Sequence, residues 1–215
     1  VPSSVAGALP VVAEVTDATW EAAFAFHLAN IGEFVLPLTS AAVRQMVEAR
    51  QLFAVLDGGK IVGLCYAKPD GKELDDVARW ELGGLHLAPE LRGRGIGVAL
   101  CAIVIAAVVY VEPKPVMGYV HQANTEVRGL LERLGFGKTG QVIRLGPDEA
   151  PGYLRRDEAG FATADVFRLA DGALARIGAD LASAGPAFRL EDGLFAGGLG
   201  EAADRLRGLG SRGTG

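Results

Sequence analysis

The run Ile96–Val111 is apolar without interruption and carries no charged side chain. A helix of that composition has no polar face, so it is buried on every side or it lies in lipid. The run is shorter than the ~20 residues that span a bilayer. It follows a turn-rich loop directly and stops at Glu112-Pro113. It therefore reads as a buried helix, and a helix packed on a sheet needs a second cover for its other side.

The residues ahead of this helix point to a ligand. Leu85-His86-Leu87-Ala88-Pro89-Glu90-Leu91 reads as a short apolar strand and a turn, and Arg92-Gly93-Arg94-Gly95-Ile96-Gly97 as a glycine-rich basic loop. Glycine lets backbone approach a ligand closely. A loop at a helix N-terminus aims free N–H groups outward, and the helix dipole adds partial positive charge. With the full charges of Arg92 and Arg94, these parts suit a pyrophosphate. Two familiar phosphate loops are excluded by single letters. A P-loop needs Lys-Ser/Thr after its last glycine, where Ile96-Gly97-Val98 stands. A dinucleotide fingerprint needs a third glycine where Val98 stands. Taken alone, the loop leaves phosphate binding and an ordinary connection equally open.

Bulk properties narrow the class. A chain of 215 residues is one domain or one domain with an appendage, and 50% hydrophobic residues supply a core. Acidic residues number 26 against 21 basic, a net charge of -5. That argues against a nucleic-acid partner and is compatible with a cationic substrate. Cys65 and Cys101 each sit in an apolar run and read as buried thiols in a reducing compartment. No ligand spacing joins them to the three histidines, so no metal is expected. No basic segment followed by an apolar one opens the sequence. The expectation is a cytoplasmic protein without a membrane partner.

Taken in order, residues 1–10 read as a flexible lead-in and Val11–Val15 as a strand. A helix starts at Thr16-Asp17 and runs to Ala29 or Asn30, with His27 in a packing or surface role. A second helix spans Ala41–Arg50. Gln51–Leu56 and Ile61–Tyr66 form a hairpin about Asp57-Gly58-Gly59-Lys60. Strands follow at Ala78–Ala88 and Val116–Val120, a helix at Thr125–Leu134 capped by Gly135, and a strand region from Phe136 to about Leu145. This alternation predicts an α/β layered domain. Beyond Gly146, Phe167, Ala170, Leu174, Ile177 and Leu181 recur at three and four, which predicts a helix over 161–184. A weaker helix spans about 200–209, and 211–215 is expected to be disordered. The tail, or a second copy of the chain in a homodimer, is the expected cover for the apolar helix.

Two ordered motifs carry a family resemblance. Arg92-x-x-Gly95-x-Gly97, entered from Leu85-x-Leu87-x-Pro89, resembles the acyl-CoA signature of the GNAT superfamily of N-acyltransferases. Asn124-x-x-Val127-x-x-Leu130-Leu131-x-x-x-Gly135-Phe136 resembles that family's second motif. The resemblance covers about 11–146, and its specific part is 85–136. It implies a GNAT-like central mixed sheet flanked by helices over 11–146, to which 147–215 adds a helical extension. It implies acetyl-CoA as co-substrate, with the pyrophosphate on Arg92, Gly93, Arg94, Gly95, Ile96 and Gly97. The main chain of Leu85 and Leu87 would bond the pantetheine arm, and Asn124 the pantetheine or phosphate. The reaction implied is direct transfer of an acetyl group to a primary amine, of a small molecule or a protein, in a ternary complex. The backbone N–H of Leu87 would hold the oxyanion.

One departure bears on mechanism. Many relatives carry a tyrosine, proposed to protonate the leaving thiolate, where this chain has Leu131, which has no proton to give. Tyr119 and His121 on the neighbouring strand are the candidate replacements. Glu81 is the candidate base, with a solvated strand residue as the equal alternative. Alternation places Glu81 on the face of Leu85 and Leu87 unless Gly83-Gly84 hosts a bulge. His86 alternates away and reads as packing. The rival function is a non-catalytic acyl-CoA-binding or regulatory domain. Acceptor identity and acyl chain length leave no readable code in the sequence.

Overall fold

A computed structural model describes residues 9–72, 74–183, 188–191, 195 and 197–210. The expectations for 1–8 and 211–215 lie outside the described residues. The elements run β1 (Val11–Glu14), α1 (Trp20–Ala29), α2 (Ser40–Glu48), β2 (Leu52–Asp57), β3 (Lys60–Pro69), β4 (Trp80–Leu87) and, after a 3-10 turn at Pro89–Leu91, α3 (Ile96–Val111). Then come β5 (Val116–His121), α4 (Thr125–Leu134), β6 (Phe136–Leu145), β7 (Ala162–Leu169), α5 (Ala173–Ser183), β8 (Arg189–Leu190) and α6 (Gly198–Gly210). The eight strands form one mixed sheet in the order β6-β7-β5-β4-β3-β2-β1-β8. β4 runs parallel to β5 and β1 to β8, and the other pairs are antiparallel.

Alternation along the strands splits the core. Phe53, Val55, Cys65, Ala67 and Leu82 face α3, whereas Leu52, Ala54, Leu64 and Tyr66 face α1 and α2. Thirteen of the sixteen residues of α3 are buried, so the helix is covered on both sides. The sheet covers one side. Ile177 and Leu181 of α5 and Ala202, Ala203 and Leu206 of α6 join the same cluster on the other. The tail is therefore the second cover that the apolar run demands. α5 and α6 meet closely: a Cβ on Gly178 would lie 2.6 Å from the Ala203 carbonyl oxygen, and one on Gly210 2.7 Å from the Ala175 nitrogen. The glycine at 178, unfavourable for a lone helix, is what lets the two backbones touch.

The helix expected over 161–184 is corrected. Its first half is β7, a strand held between β5 and β6 with ladder pairs on both sides, and only Ala173–Ser183 is helical. Val166 and Phe167 are both fully buried because the inserted strand is covered on both faces. The three-and-four spacing that begins at Phe167 is fortuitous over that stretch. Tertiary pairing decides it, not local periodicity. α2 also ends earlier than expected, since Arg50 adopts φ 57 and turns its guanidinium onto Glu14 at 2.8 Å.

Leu206 is fully buried against α3. Leu206→Ala is expected to destabilise the protein by about 2–5 kcal/mol in urea unfolding. Ending the chain at Asp171, which keeps β7 and removes α5 and α6, should give protein that associates or precipitates in size-exclusion chromatography. A monodisperse monomer would contradict the covering role.

Candidate functional site

β4 and β5 pair only at Trp80–Val116, Glu81–Met117 and Leu82–Gly118, and then separate. The separation opens a passage through the sheet. Ala88 N–H bonds the Val62 carbonyl on β3 at 2.8 Å, and the ladder places His86 opposite Leu64. Alternation then aims the main-chain groups of Leu85 and Leu87 away from β3, into the opening. Among the described residues the main-chain groups of Leu85 and the N–H of Leu87 are left to pair with an extended ligand lying there, while the Leu87 carbonyl already accepts from Arg92.

The register of β3 against β4 shifts between Leu64 and Tyr66, so Gly84 and Leu85 together oppose Cys65. This is a β-bulge, and Gly84 takes φ 63 to make it. One extra residue reverses the parity of everything before it. Glu81 therefore does not share a face with Leu85 and Leu87, as simple alternation predicts. It lies with Tyr66 and His86 on the face of α1 and α2. Leu85 and Leu87 face α3, where their side chains meet the space above Gly97.

Two connected hollows result. An outer cleft of about 1510 Å³ is lined by Leu85, Leu87, Arg92, Gly93, Gly95, Gly97 and Asn124, with Arg133 and Asp180 farther along. Gly93 and Gly95 have φ 71 and 79, and Gly95 is the N-cap of α3 without a side-chain cap. The first N–H groups of α3 are therefore open to an anion. Arg92 steadies the entry by donating Nε–H to the Leu87 carbonyl at 3.2 Å. Asn124 caps α4 through Oδ1, accepting Val127 N–H at 3.2 Å, which leaves its amide donors for a ligand. Ile96 turns its side chain into the core and Arg94 stands exposed, so neither side chain lines the cleft.

An inner cavity of about 180 Å³ follows at the splay. Its polar end joins several charges. Lys72 Nζ lies 2.7 Å from Glu81 Oε2 and 3.9 Å from the Tyr119 ring centre, and Lys68 Nζ lies 3.5 Å from the same carboxylate. The Tyr119 hydroxyl donates to the buried Asp70, which Arg79 also faces at 3.7 Å. Burial and then the Asp70 bond push the Tyr119 phenol well above its ordinary range. His121 Nδ1 accepts Ala123 N–H at 3.1 Å, so Nε2 carries the hydrogen, 2.9 Å from the Arg155 carbonyl oxygen. Leu131 sits in the cavity wall, buried and pressed on Gly118.

The far wall comes from residues that periodicity did not single out. Phe34, Val35 and Leu36 of the α1–α2 loop face Leu145, Leu154 and Ala162 of the β6–β7 hairpin. The loops are tied together. Arg155 N–H donates to the Glu33 carbonyl at 2.8 Å, and the Tyr153 hydroxyl to that of Val35 at 3.3 Å. Tyr66 and Asp70 were also missed. The two consecutive glycines 83 and 84 were the available signal, because glycine on a strand marks close approach.

Behind β4, His86 packs edge-on against His27, with ring centres 5.4 Å apart. His27 accepts Leu38 N–H at 3.0 Å, and His27 Nδ1 and His86 Nε2 are buried without a partner among the described residues. Burial, then His27 and Arg92, depress His86 from the ordinary 6.5 to about 4, and burial lowers His27 as well. The unfolded chain therefore binds more protons between these values. Stability is full above pH 6.5 and is lost as pH falls toward 4. Melting temperature should drop across that window, and His86→Phe should flatten the dependence. An equally steep profile in the variant would contradict this.

Residues 17–136 match the profile of the Acetyltransferase (GNAT) family. Among curated proteins no sequence matches significantly. Solved structures share the fold. The ribosomal-protein-S18-alanine N-acetyltransferase of Escherichia coli superposes with TM-score 0.53 at 17% identity, over 75% of this chain and 93% of that one. The Brucella melitensis ribosomal-protein-alanine N-acetyltransferase gives 0.55 at 18%, over 73% and 97%. Arabidopsis thaliana NAA60, solved with acetyl-CoA, gives 0.56 at 16%, over 74% and 97%.

Proposed function

The chain belongs to the GNAT acetyltransferase family, and from that premise we propose that it transfers the acetyl group of acetyl-CoA to a primary amine by direct attack within a ternary complex. The observation that carries this reading is the continuity of the two hollows. A cleft ending at the uncapped N-terminus of α3 leads, through the splay of β4 and β5, to a cavity that contains a carboxylate. The pyrophosphate lies on the backbone of Gly93–Gly97 with Arg92 and Arg94 adding charge. The pantetheine arm pairs with Leu85 and Leu87, and Asn124 donates to it. Leu87 N–H is the oxyanion donor. Glu81 is the base, and its side of the sheet is the acceptor side. A related NAA60 structure contains acetyl-CoA, which supports the choice of co-substrate.

The lining argues for an acceptor amine on an apolar body. Phe34, Val35, Leu36, Leu145 and Leu154 surround the place where it would lie, and the nearby charges are already paired. The Escherichia coli and Brucella melitensis neighbours act on ribosomal-protein alanine. A protein or peptide amine and a small apolar amine are both consistent with this lining. The second reading, an acyl-CoA-binding domain without turnover, draws on Leu131, which removes the family's usual proton donor.

Calorimetry with acetyl-CoA tests the cofactor site. Gly95→Glu places negative charge in the cradle and should abolish binding. Gly95→Ala imposes the same backbone strain, about 1–2 kcal/mol, without the charge, and should retain most affinity. No binding by the folded parent would overturn the assignment. Thiol release with a panel of apolar amines then separates the two readings, and Glu81→Gln should reduce it about 100-fold or more. Binding without amine-dependent release would favour the regulatory domain.

A further inference from the structure

Amine acetylation moves one proton from the amine to the sulphur of CoA. Glu81 can accept it. The donor is harder to place, because almost every proton facing the inner cavity is already engaged. Leu131 has none. The Tyr119 hydroxyl donates to Asp70 and His121 Nε2–H to the Arg155 carbonyl. Thr163 donates to Asp157 at 3.4 Å. The thiols of Cys65 and Cys101 lie 3.8 Å apart, and Cys65 also faces the Gly83 carbonyl at 3.5 Å. Tyr66 is different. Its ring is buried, it lines the same cavity, and nothing among the described residues partners its hydroxyl.

We infer that the Tyr66 hydroxyl donates the proton to the leaving CoA thiolate, from β3 rather than from α4. The inference rests on the acetyl-transfer reading above. Its ground is the position of the ring. Tyr66 stands opposite Gly83 across the ladder, and its side chain lies over Gly83 and Gly84. A Cβ on Gly83 would come 3.0 Å from the hydroxyl oxygen, and a Cβ on Gly84 2.2 Å from the ring. Both glycines therefore make room for this phenol at the bulge, beside the opening into which the thioester would thread. Glu81 lies two residues from Gly83 on the same face.

The step balances within the cavity. The amine nitrogen bonds the thioester carbonyl carbon, and Glu81 takes the amine proton. The carbon–sulphur bond breaks, its electron pair leaves on sulphur, and the Tyr66 proton joins it. The phenolate then recovers a proton from Glu81, directly or through solvent. Burial, followed by the fields of Glu81 and Cys65, pushes the Tyr66 phenol up, so it enters the reaction protonated. The thiolate that forms in the same cavity is made more basic by the same burial, so the strong hydrogen bond that the phenol donates to it ends in transfer of the proton.

The test uses Tyr66→Phe in the full chain. The hydroxyl has no partner among the described residues, so the variant should melt with the parent and keep the parent's affinity for CoA. The thiol of bound CoA, followed by thiolate absorbance against the protein alone, should ionise at higher pH in the variant by about one unit, a tenfold change. With an active acceptor, kcat should fall about 100-fold at unchanged KM for acetyl-CoA. Identical thiol ionisation in both proteins overturns the inference, even where kcat falls, because a packing role can lower kcat without touching the sulphur. Failure of CoA to bind the folded parent overturns the acetyl-transfer reading instead.

Discussion

The site depends on one extra residue in β4. Without the bulge at Gly84 and Leu85, the strand would alternate evenly, and Glu81 would point with Leu85 and Leu87 toward α3. The bulge separates two tasks on one strand. After it, the strand turns the main-chain groups of Leu85 and Leu87 away from β3, toward the opening. Before it, the strand presents a carboxylate to the opposite face. Gly84 is required twice over, by its φ of 63 and by the Tyr66 ring where a side chain would stand. Another residue there would carry left-handed strain and a clash together.

The apolar helix is the second constraint, and it links the outer cleft to the tail. α3 has its uncapped N-terminus at the cleft, and its body runs between the sheet and the α5–α6 pair. Gly97 brings the first turn close to β4: a Cβ there would lie 3.0 Å from Leu87 Cδ1 and 3.2 Å from Leu130 Cδ1. The loop amides are thus fixed relative to Leu85 and Leu87 by this packing together with the Arg92 bond to the Leu87 carbonyl. α5 also reaches the cleft, since Ile177, Asp180 and Leu181 line its far end. The extension contributes to the core and to one wall of the cleft at once.

The sequence revealed what depends on local chemistry. The positive φ of Gly93 and Gly95, the Gly135 terminus and the Gly58-Gly59 turn all act within a few residues, and all stand as expected. The apolar run announced its own burial and its need for a cover. What depends on pairing between distant segments was not legible. β7 became a strand because β5 and β6 flank it. The far wall of the inner cavity joins loops more than a hundred residues apart in the chain. The bulge was visible only as two glycines whose effect on parity needed the register of β3. Tyr66 read as an ordinary hairpin residue, since nothing near it in sequence says that its ring crosses to the next strand.

The far wall of the inner cavity also bears on how protons travel. The α1–α2 loop and the β6–β7 hairpin touch through the Arg155–Glu33 and Tyr153–Val35 bonds, and apolar side chains line the cavity behind them. A second charge carried in by an acceptor would be buried without a partner there, at a cost of several kcal/mol. The same lining disfavours losing a proton to bulk water midway through the reaction. Acetyl transfer needs no such loss, because the proton released by the amine is the one the sulphur requires. A cavity with a carboxylate and, on the same face close to the bulge, a phenol without a partner among the described residues is suited to keeping that proton inside.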